Sequence, residues 1–355
     1  MAAETNTEPT LSTPATIASR PNPRCLICGS AGETLYRELP DRLFSAPGRW
    51  TLKRCSGPAC RQVWLDPLPC EDEIGKAYRD YYTHEDAYQQ KPGRFARFLA
   101  TVKRGYLARK YAYYPETGAG VRVLGWLADF YPGRAAELDL SVMWLHAAKR
   151  GRLLDIGSGS GWLVAHLNSL GWRAEGLDFD PYAVERARAR GMTMHLGDLA
   201  SQRFADASFD AVTLCHSIEH VHAPLAWLRE ARRILRPGGS LVLATPNNES
   251  LGHRLFGKNW LSLDPPRHLH LFNRNTLRRL LAEAGFPQVD VFTTPRDANG
   301  VYLASRSIQR TGRFDMTAPQ STLAKLVGRL AQLVESIVHR VRPGIGEDLI
   351  AIAEK

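Results

Sequence analysis

From residue 151 onward, short apolar runs alternate with amphipathic ones. Residues 152–156 (RLLDI) read as a buried strand, and an apolar helical run opens at Trp162. Residues 173–178 (RAEGLD) predict a second strand, and 181–190 a helix with proline in its first turn. A third strand is expected at 192–196 and a fourth at 209–215 (FDAVTLC). Residues 224–235 form an amphipathic helix closed by Pro237-Gly238-Gly239, and 240–245 (SLVLAT) a fifth strand. Strands that alternate with helices imply a parallel sheet with helices on both faces. Ligands of such sheets bind at the carboxyl ends of the strands, near the topological switch. Asp155, Asp178, Asp198 and the Cys215–His216 pair all fall at predicted strand carboxyl ends.

Two further periodic stretches flank this core. Phe95, Phe98, Leu99, Val102 and Tyr106 recur at helical spacing, with Arg94, Arg97, Lys103, Arg104, Arg109 and Lys110 between them. This pattern predicts a helix packed on the main domain with its charges in water; the competing reading is a nucleic-acid or membrane surface. Tyr78, Tyr81, Tyr82 and His84 precede it, and 121–150 is a further helical stretch. Late in the chain, Leu323, Leu326, Val327, Leu330, Leu333, Val334, Ile337, Val338 and Val341 form a wide apolar stripe flanked by Lys325, Arg329, His339, Arg340 and Arg342. A helix packed on the rest of the protein, or in a homodimer interface, is the expectation. Peripheral membrane contact through 323–342, or cover for a lipid-linked ligand, is the competing reading.

Composition narrows the picture. Of 355 residues 44% are hydrophobic, enough for one large domain and a smaller one. No run of about 18 apolar residues predicts a transmembrane helix. Residues 1–23 are rich in Thr, Pro and Ala without an apolar centre, so a disordered tail and a cytoplasmic location are expected. A net charge of +10 favours anionic partners without naming one. Four cysteines fall in two close pairs, Cys25–Cys28 and Cys55–Cys60. In a cytosolic chain that spacing suggests metal before disulfide, and four thiolates fit a structural zinc with no open position. The second pair has four intervening residues where two are usual. The expected organisation is a tail (1–23), a zinc-ribbon-like module (24–70), a helical linker or cap (71–150), the main domain (151–295 with 346–355) and a helical insert (296–345).

The candidate chemistry begins after the first strand. Gly157, Gly159 and Gly161 let backbone approach a ligand, and the helix that follows offers free N–H groups. A dinucleotide fingerprint would place its third glycine at 162, where Trp162 stands. Asp178, at the end of the second strand, is placed to accept hydrogen bonds from both hydroxyls of a ribose; the alternative is an acid at a helix start, since Asp180-Pro181 follows.

The loop LLDIGSGSG, together with GLDFD, GDL, FDAVTLCHSIEHV and RILRPGGSLVLATPN in this order, resembles the class I S-adenosylmethionine-dependent methyltransferases across 151–294. The four-cysteine module, WLDP and the segment Asp264-Pro-Pro-Arg267-His268-Leu-His270-Leu-Phe272 are similar to a bacterial branch of that family. The resemblance implies a doubly wound, Rossmann-like seven-stranded sheet ending in an antiparallel hairpin, for which 289–293 and 348–353 fit. It implies S-adenosyl-L-methionine as cofactor, with Asp155 on its ammonium and Asp198 on the adenine. It extends the cofactor set to Gly157, Ser158, Gly159, Gly161, Phe179, Leu199 and Cys215 beside Asp178.

For the acceptor the candidates are His216, His220, His268 and His270, with Glu219. His216 should lie beside the methyl group. His220 is either catalytic or a core histidine capping its turn. His268 and His270, one residue apart, point the same way if extended, and could serve as bases or as a two-histidine metal site with Glu219. Arg267 could hold a carboxylate or phosphate. Methyl transfer to a hydroxyl of a small-molecule acceptor, a sugar, lipid-linked or secondary-metabolite substrate that is anionic or lipid-linked in character, is the expected function. The rival readings are a nucleic-acid methyltransferase and a non-catalytic cofactor-binding scaffold. Nucleic acid is disfavoured because Cys215-His216-Ser217-Ile218 stands where an amino-methylating enzyme carries Asn/Asp-Pro-Pro-aromatic.

Overall fold

The computed structural model describes residues 16–78 and 94–355. The expected tail up to residue 15, and Tyr81, Tyr82 and His84, lie outside the described residues. The chain opens with β1 (Ser19–Arg20), β2 (Gly32–Leu39), β3 (Trp50–Cys55), β4 (Val63–Leu65) and β5 (Leu68–Pro69), followed by helices α1 (Arg94–Lys110), α2 (Ala119–Leu124) and α3 (Pro132–Ser141). Then come β6 (Arg152–Ile156), α4 (Trp162–Ser169), β7 (Arg173–Asp178), α5 (Pro181–Ala189), β8 (Met194–Leu196), β9 (Phe209–Cys215), α6 (Pro224–Ile234) and β10 (Leu235–Pro246). The chain closes with α7 (Leu251–Phe256), β11 (His270–Leu271), α8 (Arg274–Glu283), β12 (Gln288–Thr294), α9 (Ala298–Thr311), α10 (Thr322–Val341) and β13 (Asp348–Glu354).

The main sheet has seven strands in the order β12-β13-β10-β9-β6-β7-β8. Strands β6 to β10 run parallel, and β13 lies antiparallel between β10 and β12. This is the doubly wound, hairpin-ended sheet expected from the sequence. Its order reverses between β6 and β9, so the cleft lies over the carboxyl ends of those two strands. Alternate residues serve opposite faces. Leu154 and Ile156 join Leu228 of α6 and Leu277 of α8 on one side. Leu153 joins Leu163 and Leu167 of α4, with Tyr106 and Leu107 of α1, on the other. Each such buried leucine contributes about 1.5–3 kcal/mol relative to exposure.

The N-terminal region differs from expectation in two ways. It begins before residue 24: Ile17 is buried, Ser19–Arg20 pairs with Leu68–Pro69, and the Trp64 indole donates to the Asn22 carbonyl at 2.8 Å. Nor does it stand apart. Its four-stranded sheet, β11-β4-β3-β2, takes its edge strand β11 from the segment of the main domain that follows β10. His270 pairs with Trp64 and Leu271 with Val63, and Cys25, Cys55, Cys60 and Trp64 share one core with the sheet.

Helix α1 is only half packed. Tyr106 is fully buried, whereas Phe95 is 73% exposed, and Phe98 and Leu99 are also exposed. Its carboxyl-terminal end is fixed by Asp139, which accepts hydrogen bonds from the hydroxyls of Tyr106 and Tyr111, both at 2.7 Å, and pairs with Lys110 at 2.9 Å.

Helix α10 reverses the expected packing. It turns Gly328, Gln332, Glu335 and Ser336 inward. Most of its apolar stripe, including Leu323, Leu330, Val334 and Ile337, is exposed. The inward side chains find polar partners: the Gln332 amide donates to the Pro295 carbonyl at 3.2 Å, and Glu335 accepts from the Glu347 N–H at 3.2 Å. No helix among the described residues is long and apolar enough to cross a membrane.

Candidate active site

One end of the cleft is made mainly of backbone. β6 delivers Asp155 at its carboxyl end, and the chain turns through Gly157 and Gly159 with positive φ angles. A Cβ on Gly157 would meet the Ser217 hydroxyl at 2.3 Å, so glycine is needed there for packing. A Cβ on Gly159 would meet nothing within 4 Å, which marks the open side of the turn. Gly161 then caps α4 in the left-handed conformation. Ser158 hydrogen-bonds to the Leu177 carbonyl through its N–H at 3.1 Å and its hydroxyl at 3.3 Å.

Asp178, at the end of β7, anchors the loop by accepting the Gly159 N–H at 2.7 Å and the Asp180 N–H at 2.9 Å. A carboxylate offers about four lone-pair sites, so two remain for a ligand. Burial raises its carboxyl, and the Asp180 and Gly159 bonds oppose that rise. Asp155 is buried and accepts the Thr213 hydroxyl at 2.7 Å. Burial pushes Asp155 up to about 7; the Thr213 bond opposes the rise and Asp178 adds to it. Two buried acids with raised carboxyls suit a ligand that brings positive charge. Phe179 is 54% exposed and meets the Tyr78 ring edge to face at 5.3 Å.

Three other candidates at this end are placed differently. Asp198 is exposed and accepts the Ser201 N–H at 2.8 Å, which is the turn-capping geometry. Leu199 is fully buried, so its side chain belongs to the core. Cys215 is half-buried at the end of β9, and burial pushes its thiol up to about 12.

The other end is made of side chains from several segments. His216 follows β9 with φ 52°, an unusual conformation for a residue with a side chain. The Arg296 guanidinium donates to its Nε2 at 2.7 Å, and Arg296 also bonds Asp348 at 2.6 Å. Its Nδ1 lies 3.4 Å from Glu219 Oε1. Burial would lower His216, but Asp348 and Glu219 outweigh it and Arg296, and the net shift is upward. Burial would raise Glu219, but His216, His220 and His268 hold it down at about 2. Burial and the neighbouring His268 push His220 down to about 4. His220 and His268 pack edge to face, 4.8 Å between ring centres, and His220 Nδ1 lies 3.0 Å from the Tyr78 hydroxyl.

His270 does not join them. It sits on β11, buried beside Phe272, with both ring nitrogens lacking a hydrogen-bond partner. The expectation that His268 and His270 point together fails because His268 precedes the strand, in the irregular segment that starts at Asp264. Arg267 is not available to a ligand either. It is fully buried, with its guanidinium on Asp41 at 2.7 and 2.8 Å and on Asp264 at 2.5 and 3.0 Å.

Sequence reasoning overlooked Thr213, Arg296, Asp348 and the role of Tyr78. Thr213 lies inside a strand run. Arg296 and Asp348 flank the insert, where no motif marks them.

A methyltransferase-domain family model matches residues 131–291. A ubiquinone biosynthesis O-methyltransferase of Cereibacter sphaeroides is 32% identical over 168 residues, covering 44% of this chain and 68% of the relative. One of the same name from Xanthomonas oryzae pv. oryzae is 34% identical over 130 residues, covering 34% of this chain and 54% of the relative. The matches thus span between about half and two thirds of these relatives' length. A solved S-adenosylmethionine-dependent methyltransferase from Archaeoglobus fulgidus aligns with TM-score 0.43 and 18% identity, covering 64% of this chain and 94% of that one. The chain belongs to the class I S-adenosylmethionine-dependent methyltransferases.

The residues present fit that cofactor. The open glycine turn can take its amino-acid end, the raised Asp155 carboxyl can meet its ammonium, and Asp178 retains acceptor capacity for ribose hydroxyls. When bound, the cofactor supplies an electrophilic methyl group on a sulfonium.

Proposed function

We propose that the chain methylates a hydroxyl of a small-molecule acceptor and carries a structural zinc in its N-terminal module. The observation that carries the first part is the arrangement of the cleft. A loop flanked by two buried acids opens beside the half-exposed His216, which Arg296 and Asp348 hold in place. On this reading Asp155, Asp178 and the glycine turn align the cofactor, and His216 faces the acceptor. Alignment of this kind is the protein's main contribution to an in-line displacement. The names of the relatives support oxygen as the acceptor atom. The outward apolar stripe of α10, with its basic flanks, favours an amphiphilic or lipid-linked acceptor.

The zinc reading rests on geometry. The sulfurs of Cys25, Cys28, Cys55 and Cys60 all lie within 4.8 Å of one another, with Cys25–Cys60 at 3.6 Å and Cys28–Cys55 at 3.3 Å. A tetrahedron with Zn–S of about 2.3 Å requires sulfurs about 3.8 Å apart. The N–H groups of Ile27 and Gly57 point at Cys25 and Cys55 sulfur at 3.4 Å, as in a metal-binding knuckle. Hydrogen bonds from Ser30 bring the Cys28 thiol down to about 6, which favours its thiolate, whereas burial pushes the Cys25 and Cys60 thiols up, so those two need the metal's charge to ionise.

Calorimetric titration with S-adenosylhomocysteine tests the function. Wild type should bind, and Asp178→Ala should bind about ten- to a hundredfold more weakly, the loss expected for charge-assisted hydrogen bonds. Labelled cofactor should then pass its methyl group to oxygen in a panel of phenolic, sugar and lipid-linked acceptors. A folded wild-type protein that binds no S-adenosylhomocysteine would sink the reading, and one that binds it but methylates no acceptor would favour the cofactor-binding scaffold.

A further inference from the structure

We propose that Glu219, His220 and His268 form a divalent-cation site at the acceptor end of the cleft, separate from the four cysteines. Glu219 and His220 lie on the turn Ile218–His220 that follows β9, and His268 lies two residues before β11. Each offers one ligand atom, and the three atoms lie within 4.8 Å of one another.

The hydrogen bonds around them fix what they present. His220 Nδ1 lies 3.0 Å from the Arg267 carbonyl, and His268 Nδ1 lies 2.8 Å from the Ser262 carbonyl. A carbonyl only accepts, so each Nδ1 is assigned the proton, the Tyr78 hydroxyl 3.0 Å from His220 Nδ1 then serving as a second acceptor, and each Nε2 keeps a lone pair. This outer arrangement, with ring N–H on a carbonyl and the other nitrogen free, is the one that metal-ligating histidines adopt. Glu219 is fully buried. Its Oε2 accepts the Thr245 hydroxyl at 3.0 Å, while its Oε1 has no hydrogen-bond partner, the His216 contact at 3.4 Å being too long. Leaving a buried carboxylate oxygen unpaired is costly.

Neither nearby arginine relieves it, and the His216 ring, which Arg296 also binds, approaches Oε1 only to 3.4 Å. The Arg267 guanidinium is committed to Asp41 and Asp264, and that of Arg296 to His216 and Asp348. His268 Nε2 instead faces a further acceptor, Asp264 Oδ2, at 3.9 Å. Asp264 Oδ2 is already paired with Arg267 Nε at 3.0 Å, so it is the unpaired Glu219 Oε1 and the two Nε2 lone pairs that converge where a positive ion would balance them. Two imidazoles and one carboxylate suit Zn2+, Fe2+ or Mn2+ better than ions that prefer an all-oxygen or all-thiolate cage. Three protein ligands leave positions open. An acceptor hydroxyl bound there would be easier to deprotonate, its proton passing to water. This use rests on the methyl-transfer reading above, but the cation site itself does not.

The test is a zinc count on full-length protein loaded with excess Zn2+ and desalted. Wild type should hold about one ion per chain more than either His268→Ala or Glu219→Gln, because losing one of three ligands opens the site. S-adenosylhomocysteine titration and circular dichroism run alongside, since neither residue belongs to the cofactor loop. Equal zinc in wild type and both variants would overturn the proposal. A count that drops in a protein unable to bind S-adenosylhomocysteine would uphold the cation site and remove the methyl-transfer reading. Equal counts with intact binding would do the reverse.

Discussion

The two ends of the cleft are built by different means. At the cofactor end one continuous stretch, Asp155 to Asp178, does nearly all the work, and the contacts that hold the loop are backbone N–H groups on a carboxylate and a carbonyl. At the acceptor end the parts come from places far apart in sequence: Tyr78, the 216–220 turn, Asp264 to His268, Arg296 and Asp348. The first end needs only a correct strand, turn and helix. The second requires the N-terminal module to be docked, because β11 pairs with β4, and Asp41 with Phe44 clasps Arg267. Binding of the cofactor and handling of the acceptor should therefore be separable by mutation.

Stripping metal from the four cysteines is the strongest way to separate them. Binding of a structural zinc is folding free energy for a small module, on the order of 10 kcal/mol in isolated zinc-finger peptides. Cys55→Ser, or a strong chelator, should loosen the N-terminal sheet and with it β11. Asn273 donates to the Cys60 carbonyl at 2.8 Å, so the start of α8 is coupled to the knuckle. Near-ultraviolet dichroism and the unfolding midpoint should both fall. If neither moves, the four thiols hold no metal that matters to the fold.

Arg267→Ala should rank next. It leaves Asp41 and Asp264 buried without their partner, a change that costs about 3–5 kcal/mol when one member of a buried pair is removed. Urea unfolding measures the loss. Where the variant still folds, acceptor turnover should fall much more than S-adenosylhomocysteine affinity. An equal loss of both would show that the two ends are one unit.

The same contrast explains what was legible in the sequence. The strands, the glycine turn, Asp155 and Asp178 were readable because each is a local signal: a period, a turn residue, an acid at a strand end. The His220–His268 contact was not, because it depends on where the segment from Asp264 lands once β11 joins a sheet formed two hundred residues earlier. A local rule, that residues one apart in an extended chain point together, paired His268 with His270 instead. Arg267 looked like an anion site because a lone arginine in a motif cannot reveal that Asp41 already holds it. Helix α10 misled for a related reason. Its apolar stripe is real, but the neighbouring segments offer polar partners, so the polar face turned inward.

The smallest effect expected lies at the cofactor end and concerns pH. Burial places the Asp155 carboxyl at about 7, above the usual value near 3.9. In the unliganded protein the folded state holds this proton more tightly than the unfolded chain does. Stability contributed by Asp155 is therefore greatest at low pH and declines as pH rises from about 4 to about 7. Cofactor binding has the opposite sign, because a ligand ammonium favours the ionised carboxylate. Affinity for S-adenosylhomocysteine should be level above about pH 7.5 and fall by up to about tenfold per unit below pH 7. Calorimetry in buffers of different ionisation enthalpy should detect proton release near pH 6.5. Thr213→Val removes the hydrogen bond that favours the charged form, so the break in the profile should move to higher pH by an amount worth about 1 kcal/mol. If the break stays where it is in Thr213→Val, Asp155 is not the group that titrates, and the charge at this end is set by Asp178 alone.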